Sequence, residues 1–415
     1  MMISRVRGTE DLLDLKFLNF IIGKVKKHFQ LYNFKEIDTP ILESTNLFIR
    51  SLGEQTDVIS KEMYVFKTTS GESICLRPEA TTPTMRAFLE SGIQSIPWKV
   101  FSVGPMFRHE RPQKGRWRQF TQINAEIVGT NSISQDAHLI KIHDRFFNEI
   151  LGLENYVLKI NFLGTSDDRK GHREALIKFL NDVENQICET CKIRKEKNIL
   201  RIFDCKNEQC KNVYKNAPKI TDHLSKESDK EWTFLKDLLD ILSVSYIHND
   251  TLVRGLDYYD KTVFEFTSKE LGAQDAFCSG GRYNTLATQI DSKQDFPSIG
   301  AATGLGRLLF LTEKVKDKLA VPQEPVLSIV IPMAEEQQPL ALLLAYELEY
   351  NNKSVDILLD EGSMKSMMRK ANKLGAKYVL VIGEKEQQEG TVSIKNMQTG
   401  EDFSIKQSEA HQILK

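Results

Sequence analysis

The sequence lacks the two glycine-rich turns that most often cradle phosphate. Neither Gly-x-x-x-x-Gly-Lys-[Ser/Thr] nor Gly-x-Gly-x-x-Gly occurs among its 415 residues, so any nucleotide chemistry must use another device. It lacks an apolar run approaching the roughly 20 residues that a membrane span needs. The opening Met-Met-Ile-Ser-Arg-Val-Arg-Gly has no apolar stretch leading to a small-residue cleavage site. No secretion signal is expected, and cytoplasm is the expected compartment. Net charge is also missing: 56 Lys and Arg against 57 Asp and Glu leave −1. That excludes a protein held on nucleic acid by bulk charge alone, but not one with local basic surfaces. Of six cysteines, Cys75 and Cys278 stand alone and four cluster.

What is present begins with size and balance. Apolar content of 40% and charged content of 27% are those of a soluble globular protein, long enough for two or three domains. The most informative stretch is residues 104–126. An apolar run over residues 98–103 reads as a buried strand and passes straight into Phe107-Arg108-His109-Glu110. Pro112 and Gly115 break it, and residues 116–128 resume an extended pattern. The reading is two antiparallel strands joined by a basic loop. A solvated charged hairpin is the plain alternative. Arg108, however, follows Met106-Phe107 at the end of a buried strand, where a guanidinium suits bidentate recognition of phosphate or carboxylate. Phe120, on the return strand, offers a face to a flat base.

Before the hairpin, Phe17, Phe20, Ile21, Val25 and Phe29 recur at helical spacing, which predicts an amphipathic helix over 12–32. A short extended segment at 35–39 and Pro40 follow. Residues 56–66 lead into a hairpin turning near Ser70-Gly71-Glu72, and Leu76-Arg77-Pro78-Glu79-Ala80-Thr81 reads as a strand end followed by a helix cap. After the hairpin, 136–151 is a strong helical pattern and 157–163 a strand. Residues 166–245 turn more charged and read as an inserted helical module. It carries Cys188-Glu-Thr-Cys191 and, thirteen residues on, Cys205-Lys-Asn-Glu-Gln-Cys210. This spacing fits one tetrahedral thiolate zinc site, because each pair can wrap one side of an ion. Four reduced thiols, or two surface pairs that oxidise, fit it too. Strand patterns return at 252–259 and 262–266. The glycines of Ser279-Gly280-Gly281-Arg282-Tyr283 and Gly304-Leu305-Gly306-Arg307 let backbone approach a ligand. A polar linker at 315–325 precedes a β-α-β-α-β alternation, which predicts a small α/β domain with a mainly parallel sheet.

The run Phe107-Arg108-His109-Glu110-Arg111-Pro112-Gln113-Lys114-Gly115-Arg116 closely resembles motif 2 of class II aminoacyl-tRNA synthetases, in the form of their histidyl subgroup. Residues 252–259 resemble that subgroup's signature, and 304–308 resemble motif 3. The helix, strand and Pro40 at the start are similar to motif 1, which implies a homodimer. The implied fold is α+β: an antiparallel-sheet catalytic domain over 1–320, with the inserted module at about 166–245, then an anticodon-binding α/β domain over 325–415. The implied reaction joins L-histidine to ATP as histidyl-adenylate, with Mg²⁺ on the phosphates, and passes the acyl group to tRNA(His). By the resemblance, Arg108 and Arg254 act on the α-phosphate and carboxylate. Arg307 serves the γ-phosphate, Glu110 the adenine amino group and Phe120 its ring. Glu79, Thr81 and Gln122 hold the α-ammonium. Glu126 and Tyr259 take the imidazole nitrogens, with Tyr258 in the same histidine set. Arg111 and Gln113 contact the tRNA acceptor end, where the resemblance implies an extra 5′ guanosine. Four positions depart from the family pattern: Ala80 for glycine, Thr121 for histidine, Asn124 for glycine, and Gly306 for an acidic residue. The rival reading is the catalytically silent relative, a regulatory subunit of ATP phosphoribosyltransferase, which typically lacks the C-terminal domain. A non-enzymatic RNA-binding protein is a third, disfavoured by the near-neutral charge.

Overall fold

Strands Trp98–Phe107 and Gln119–Val128 pair antiparallel along their whole length, as the sequence predicts. The computed structural model describes residues 3–53, 56–111, 116–272, 275–360 and 362–414. The hairpin belongs to an eight-stranded sheet. Its strands are β1 (Lys35–Glu36), β2 (Trp98–Phe107), β3 (Gln119–Val128), β4 (Val157–Phe162), β5 (Tyr246–His248), β6 (Asp260–Thr267), β7 (Ala276–Arg282) and β8 (Ser298–Gly304). They lie in the order β1-β2-β3-β8-β7-β6-β4-β5. Only the edge pairs β1–β2 and β4–β5 are parallel; the six inner strands are antiparallel throughout.

One face of the sheet carries the main core; the other is covered in part by a smaller cluster that joins Val128 to Phe48, Met85, Phe88 and Tyr283, and is open elsewhere. Successive side chains of a strand point to opposite sides. In β3, Ile123, Ala125 and Ile127 join the main core, while Phe120, Gln122 and Asn124 line a cavity on the other side. The core is closed by Ile21, Val25 and Phe29 of helix Lys16–Leu31 and by Leu139 and Ile142 of helix Ile133–Arg145. Each large apolar side chain taken from water contributes about 1.5–3 kcal/mol. A core built on one face therefore decides which face is left for the cavity.

Three element expectations shift. Residues 252–259, whose pattern reads as strand, form loop and turn before the strand Asp260–Thr267 begins. The first helix begins at Lys16, not Leu12, because the Asp14 carboxylate accepts the Lys16 N–H at 2.9 Å; Leu12 lines the cavity instead. The inserted segment is helical, but it is not one body. Helix Lys226–Ile241 places Trp232, Leu235 and Leu239 in the main core. A separate small core gathers Leu176, Leu180, Ile187, Ile199, Ile202 and three of the clustered cysteines.

The chain divides into two compact units, Met1–Val321 and Pro322–Lys415. In the second, strands Val355–Ile357, Ser328–Pro332 and Tyr378–Ile382 are parallel neighbours. Apolar clusters form on both their faces, which explains the unbroken apolar run at 378–382. The hairpin strands Thr391–Asn396 and Asp402–Lys406 then extend the sheet antiparallel. The sequence reading did not anticipate these two.

Candidate active site

One cavity of about 770 Å³ opens on the face of the eight-stranded sheet opposite the main core. Arg108, at the end of β2, and Arg254, from a segment 146 residues later, both line it, as do Arg307, Glu110, Phe120, Gln122, Glu79, Thr81, Tyr258 and Tyr259. Each arginine is held in place. Arg108 Nε donates to the Pro78 carbonyl at 2.8 Å, and its guanidinium lies over the Phe120 ring, 5.5 Å from the centroid. Arg254 pairs with Glu265 and donates to Ser279 Oγ at 2.7 Å, with its guanidinium 5.6 Å from the centre of the Tyr259 ring. Arg307 donates to the Ala276 carbonyl. Glu110 pairs with Arg116 at 2.7 Å. Guanidiniums fixed this way lose little freedom when an anion arrives.

The deep end is polar and buried. Glu79 is buried, and its carboxylate accepts the Thr81 and Thr82 N–H groups at 2.7 and 3.0 Å, at the start of helix Thr81–Glu90. It is thus both a cavity carboxylate and the acceptor for a helix N-terminus. Burial raises its pKa, against the hydrogen bonds of Thr82 and Thr81. Ala80 has φ −112°, so replacing glycine there carries no strain.

Glu126 lies behind the cavity wall. Thr81 Oγ1 donates to one carboxylate oxygen at 2.7 Å and the Tyr283 hydroxyl donates to the other. Burial pushes its pKa up to about 8. Gly300, opposite it on β8, leaves the room: a Cβ there would collide with this carboxylate. Glycines 280 and 281, expected to admit a ligand, instead admit neighbours. A Cβ on Gly280 would meet the Phe264 ring at 2.6 Å, and one on Gly281 the Tyr259 ring at 2.8 Å.

The sequence reading gave several contributors no role, Asn124 entering it only as a departure from the family pattern. Asn124 is buried and lines the cavity, and among the described residues neither its amide oxygen nor its nitrogen has a hydrogen-bond partner. Glu265 stands on the opposite face of β6 from Phe264 and Phe266, so alternation was a usable signal. Arg77 is almost wholly buried; it donates to the Pro105 and Thr39 carbonyls at 3.0 and 2.6 Å and occupies the space that a Cβ on Gly104 would need. Arg194, Arg201, Asp204 and Lys206 form another part of the wall. Arg111 is exposed and outside the cavity lining, and Gln113 lies outside the described residues.

The four clustered cysteines come together. The sulfurs of Cys188, Cys191, Cys205 and Cys210 all lie within 4.8 Å of one another. Cys188 Sγ and Cys205 Sγ are 3.8 Å apart, close to the edge of a tetrahedron with metal–sulfur bonds of about 2.3 Å.

Residues 64–315 match the family model described as tRNA synthetase class II core domain (G, H, P, S and T), and residues 328–415 match an anticodon binding domain. A histidine–tRNA ligase of Fervidobacterium nodosum is 43% identical over 98% of this chain and 97% of its own length. One from Rickettsia bellii is 38% identical over 99% and 98%. The crystal structure of apo S. aureus histidyl-tRNA synthetase superimposes with a TM-score of 0.81 at 33% identity, covering all of both chains. A Bacillus halodurans structure, titled as an ATP phosphoribosyltransferase regulatory subunit/histidyl-tRNA synthetase, shares the fold at 20% identity and a TM-score of 0.63, covering 92% of this chain and 99% of its own. The chain belongs to the histidine–tRNA ligase family of class II tRNA synthetases.

Proposed function

We propose that the cavity joins L-histidine to ATP and passes the activated histidine to tRNA(His). The observation that carries this is the meeting of Arg108 and Arg254 with the buried Glu79 and Thr81 and the half-buried Gln122 in one hollow. Full-length relatives named histidine–tRNA ligase favour it over the regulatory-subunit reading.

A carboxylate oxygen of histidine attacks the α-phosphorus, the bond to the β-phosphate bridging oxygen breaks, and pyrophosphate leaves. The attacking group is already ionised at neutral pH, so no general base is needed. Catalysis then rests on position and on stabilising charge at the transferring phosphorus. Arg108 and Arg254 hold the α-phosphate and carboxylate, and Arg307 the γ-phosphate. Glu110 takes the adenine amino group, and Phe120 the ring. Glu79, Thr81 and Gln122 bind the α-ammonium. Tyr259, packed against Tyr258 at 4.5 Å, takes one imidazole nitrogen. Glu126 takes the other by giving up a hydroxyl partner. The wrong side chain would leave these buried groups unpaired, which is the source of selectivity.

Mg²⁺ neutralises phosphate charge when bound. Of the carboxylates on the cavity wall, Glu110 and Glu265 would be the ones to hold it, on release from Arg116 and Arg254. The four-cysteine set fits one structural Zn²⁺. Arg111 and Gln113 reach the tRNA acceptor end, and the domain over 325–415 reads the anticodon. The working form is a cytoplasmic homodimer; no helix among the described residues is long and apolar enough to cross a membrane. ATP–pyrophosphate exchange with each amino acid in turn tests the reading: exchange should require histidine. No exchange with any amino acid would favour the regulatory-subunit reading.

A further inference from the structure

The small core that holds the cysteines is built around sulfur. Its apolar members, among them Leu176, Leu180, Ile199 and Ile202, are too few to fix a fold of this size, where metals or cross-links commonly substitute. The sulfurs approach tetrahedral spacing, and backbone donors already point at them: the Cys188 N–H lies 3.2 Å from Cys210 Sγ and the Asn207 N–H 3.5 Å from Cys205 Sγ. An all-sulfur tetrahedral set selects a thiophilic ion.

The chain between the two cysteine pairs does not stay within this module. Asn198 Nδ2 donates to Asp257 Oδ1 at 2.9 Å, and Arg201 donates to the Gly255 carbonyl at 2.6 Å. Arg194 braces this contact by donating to the Arg201 carbonyl at 2.9 Å. Gly255 directly follows Arg254, and Asp257 stands two residues beyond Gly255. Arg201 and Asp204 also line the cavity.

We propose that Cys188, Cys191, Cys205 and Cys210 hold one Zn²⁺, and that this ion clasps the intervening segment as a wall that positions the loop carrying Arg254. The metal is structural and takes no part in the reaction; Arg201 and Asn198 are positioning residues. The second half of the inference rests on the cavity being the site of histidyl-adenylate formation; the first does not.

The test uses the full chain, purified without chelator or histidine tag. Metal analysis should return close to one zinc per chain, released by a mercurial thiol reagent as all four cysteines react. Stripping the zinc should speed amide hydrogen exchange over residues 252–257, leave β2 and β3 protected, and lower kcat for histidine-dependent pyrophosphate exchange by about tenfold or more, with a smaller change in histidine KM. Arg201→Ala, which leaves the cysteines intact, should keep its zinc and reproduce both the faster exchange and the kcat loss. Absence of metal after reconstitution with zinc, or iron in its place, overturns the zinc site. Unchanged exchange over 252–257 on stripping, or a silent Arg201→Ala variant, overturns the clasp. A zinc-loaded chain with a protected loop but no histidine-dependent exchange overturns the functional reading and leaves the metal site standing.

Discussion

Glu126 shows how one buried carboxyl couples stability to pH. Its folded pKa of about 8 stands above the ordinary value of 4.5 because burial disfavours the charge. Between those values the folded state keeps a proton that the unfolded state has lost. Stability therefore falls as pH rises through this window, by at most about 1.4 kcal/mol per pH unit. Glu126→Gln should flatten that dependence and gain most above pH 8, read as urea midpoints across pH, while weakening histidine binding. Equal slopes in the two proteins would contradict the assignment. Arg254→Ala should slow adenylate formation by about a hundredfold or more with histidine affinity nearly intact; near-normal pyrophosphate exchange would refute its role. Asn124→Ala should raise histidine KM by about tenfold, since a hydrogen bond gained only with substrate is lost. An unchanged KM would place its amide outside the substrate's reach. Asn124 also marks the limit of the sequence: it registered only as a departure from the family pattern, because burial and the lack of a partner are tertiary facts.

Among the elements, β7 carries the clearest stability prediction. Arg282 at its end is wholly buried with Asp136 of helix Ile133–Arg145. It contacts both carboxylate oxygens and donates to the Thr130 and Ser132 carbonyls at 2.7 and 3.0 Å. Arg282→Ala would strand the Asp136 charge in the core and should cost about 3–5 kcal/mol, measured by denaturant unfolding. A loss below 1 kcal/mol, roughly that of a surface pair, would show the ion pair to be solvated. Elements with strong periodicity were legible: the hairpin, the helix Ile133–Arg145 and the run Tyr378–Ile382 follow from apolar spacing alone. The last hairpin, Thr391–Asn396 with Asp402–Lys406, was missed although Val392, Ile394, Phe403 and Ile405 alternate with polar residues, because two apolar positions in so short a strand carry little signal. Helix Lys226–Ile241 reads with the inserted module because its surface is as charged, while its buried Trp232 and Leu235 pack in the main core.

At the scale of the molecule, the convergence of Arg108 and Arg254 was legible only through the family resemblance, since no local pattern links residues so far apart. The antiparallel sheet brings them together. In the small sheet of Leu42–Ser44, Ser73–Leu76 and Val65–Lys67, Leu42 and Phe66 share one face by register and are about half exposed, apolar side chains suited to a second copy. Light scattering of the purified chain should return twice the 47.5 kDa of one subunit. A monomer at micromolar concentration would remove the homodimer from the reading.

The two-faced character of β3 makes its length a determinant of chemistry. Deleting one residue near its start would turn Ile123, Ala125 and Ile127 toward the hollow and drive Gln122, Asn124 and Glu126 into the hydrophobic interior. Such a frameshift in space would turn a polar pocket into a greasy one and plant three polar groups where none can be solvated. Insertions and deletions should therefore be purged from this strand more severely than substitutions.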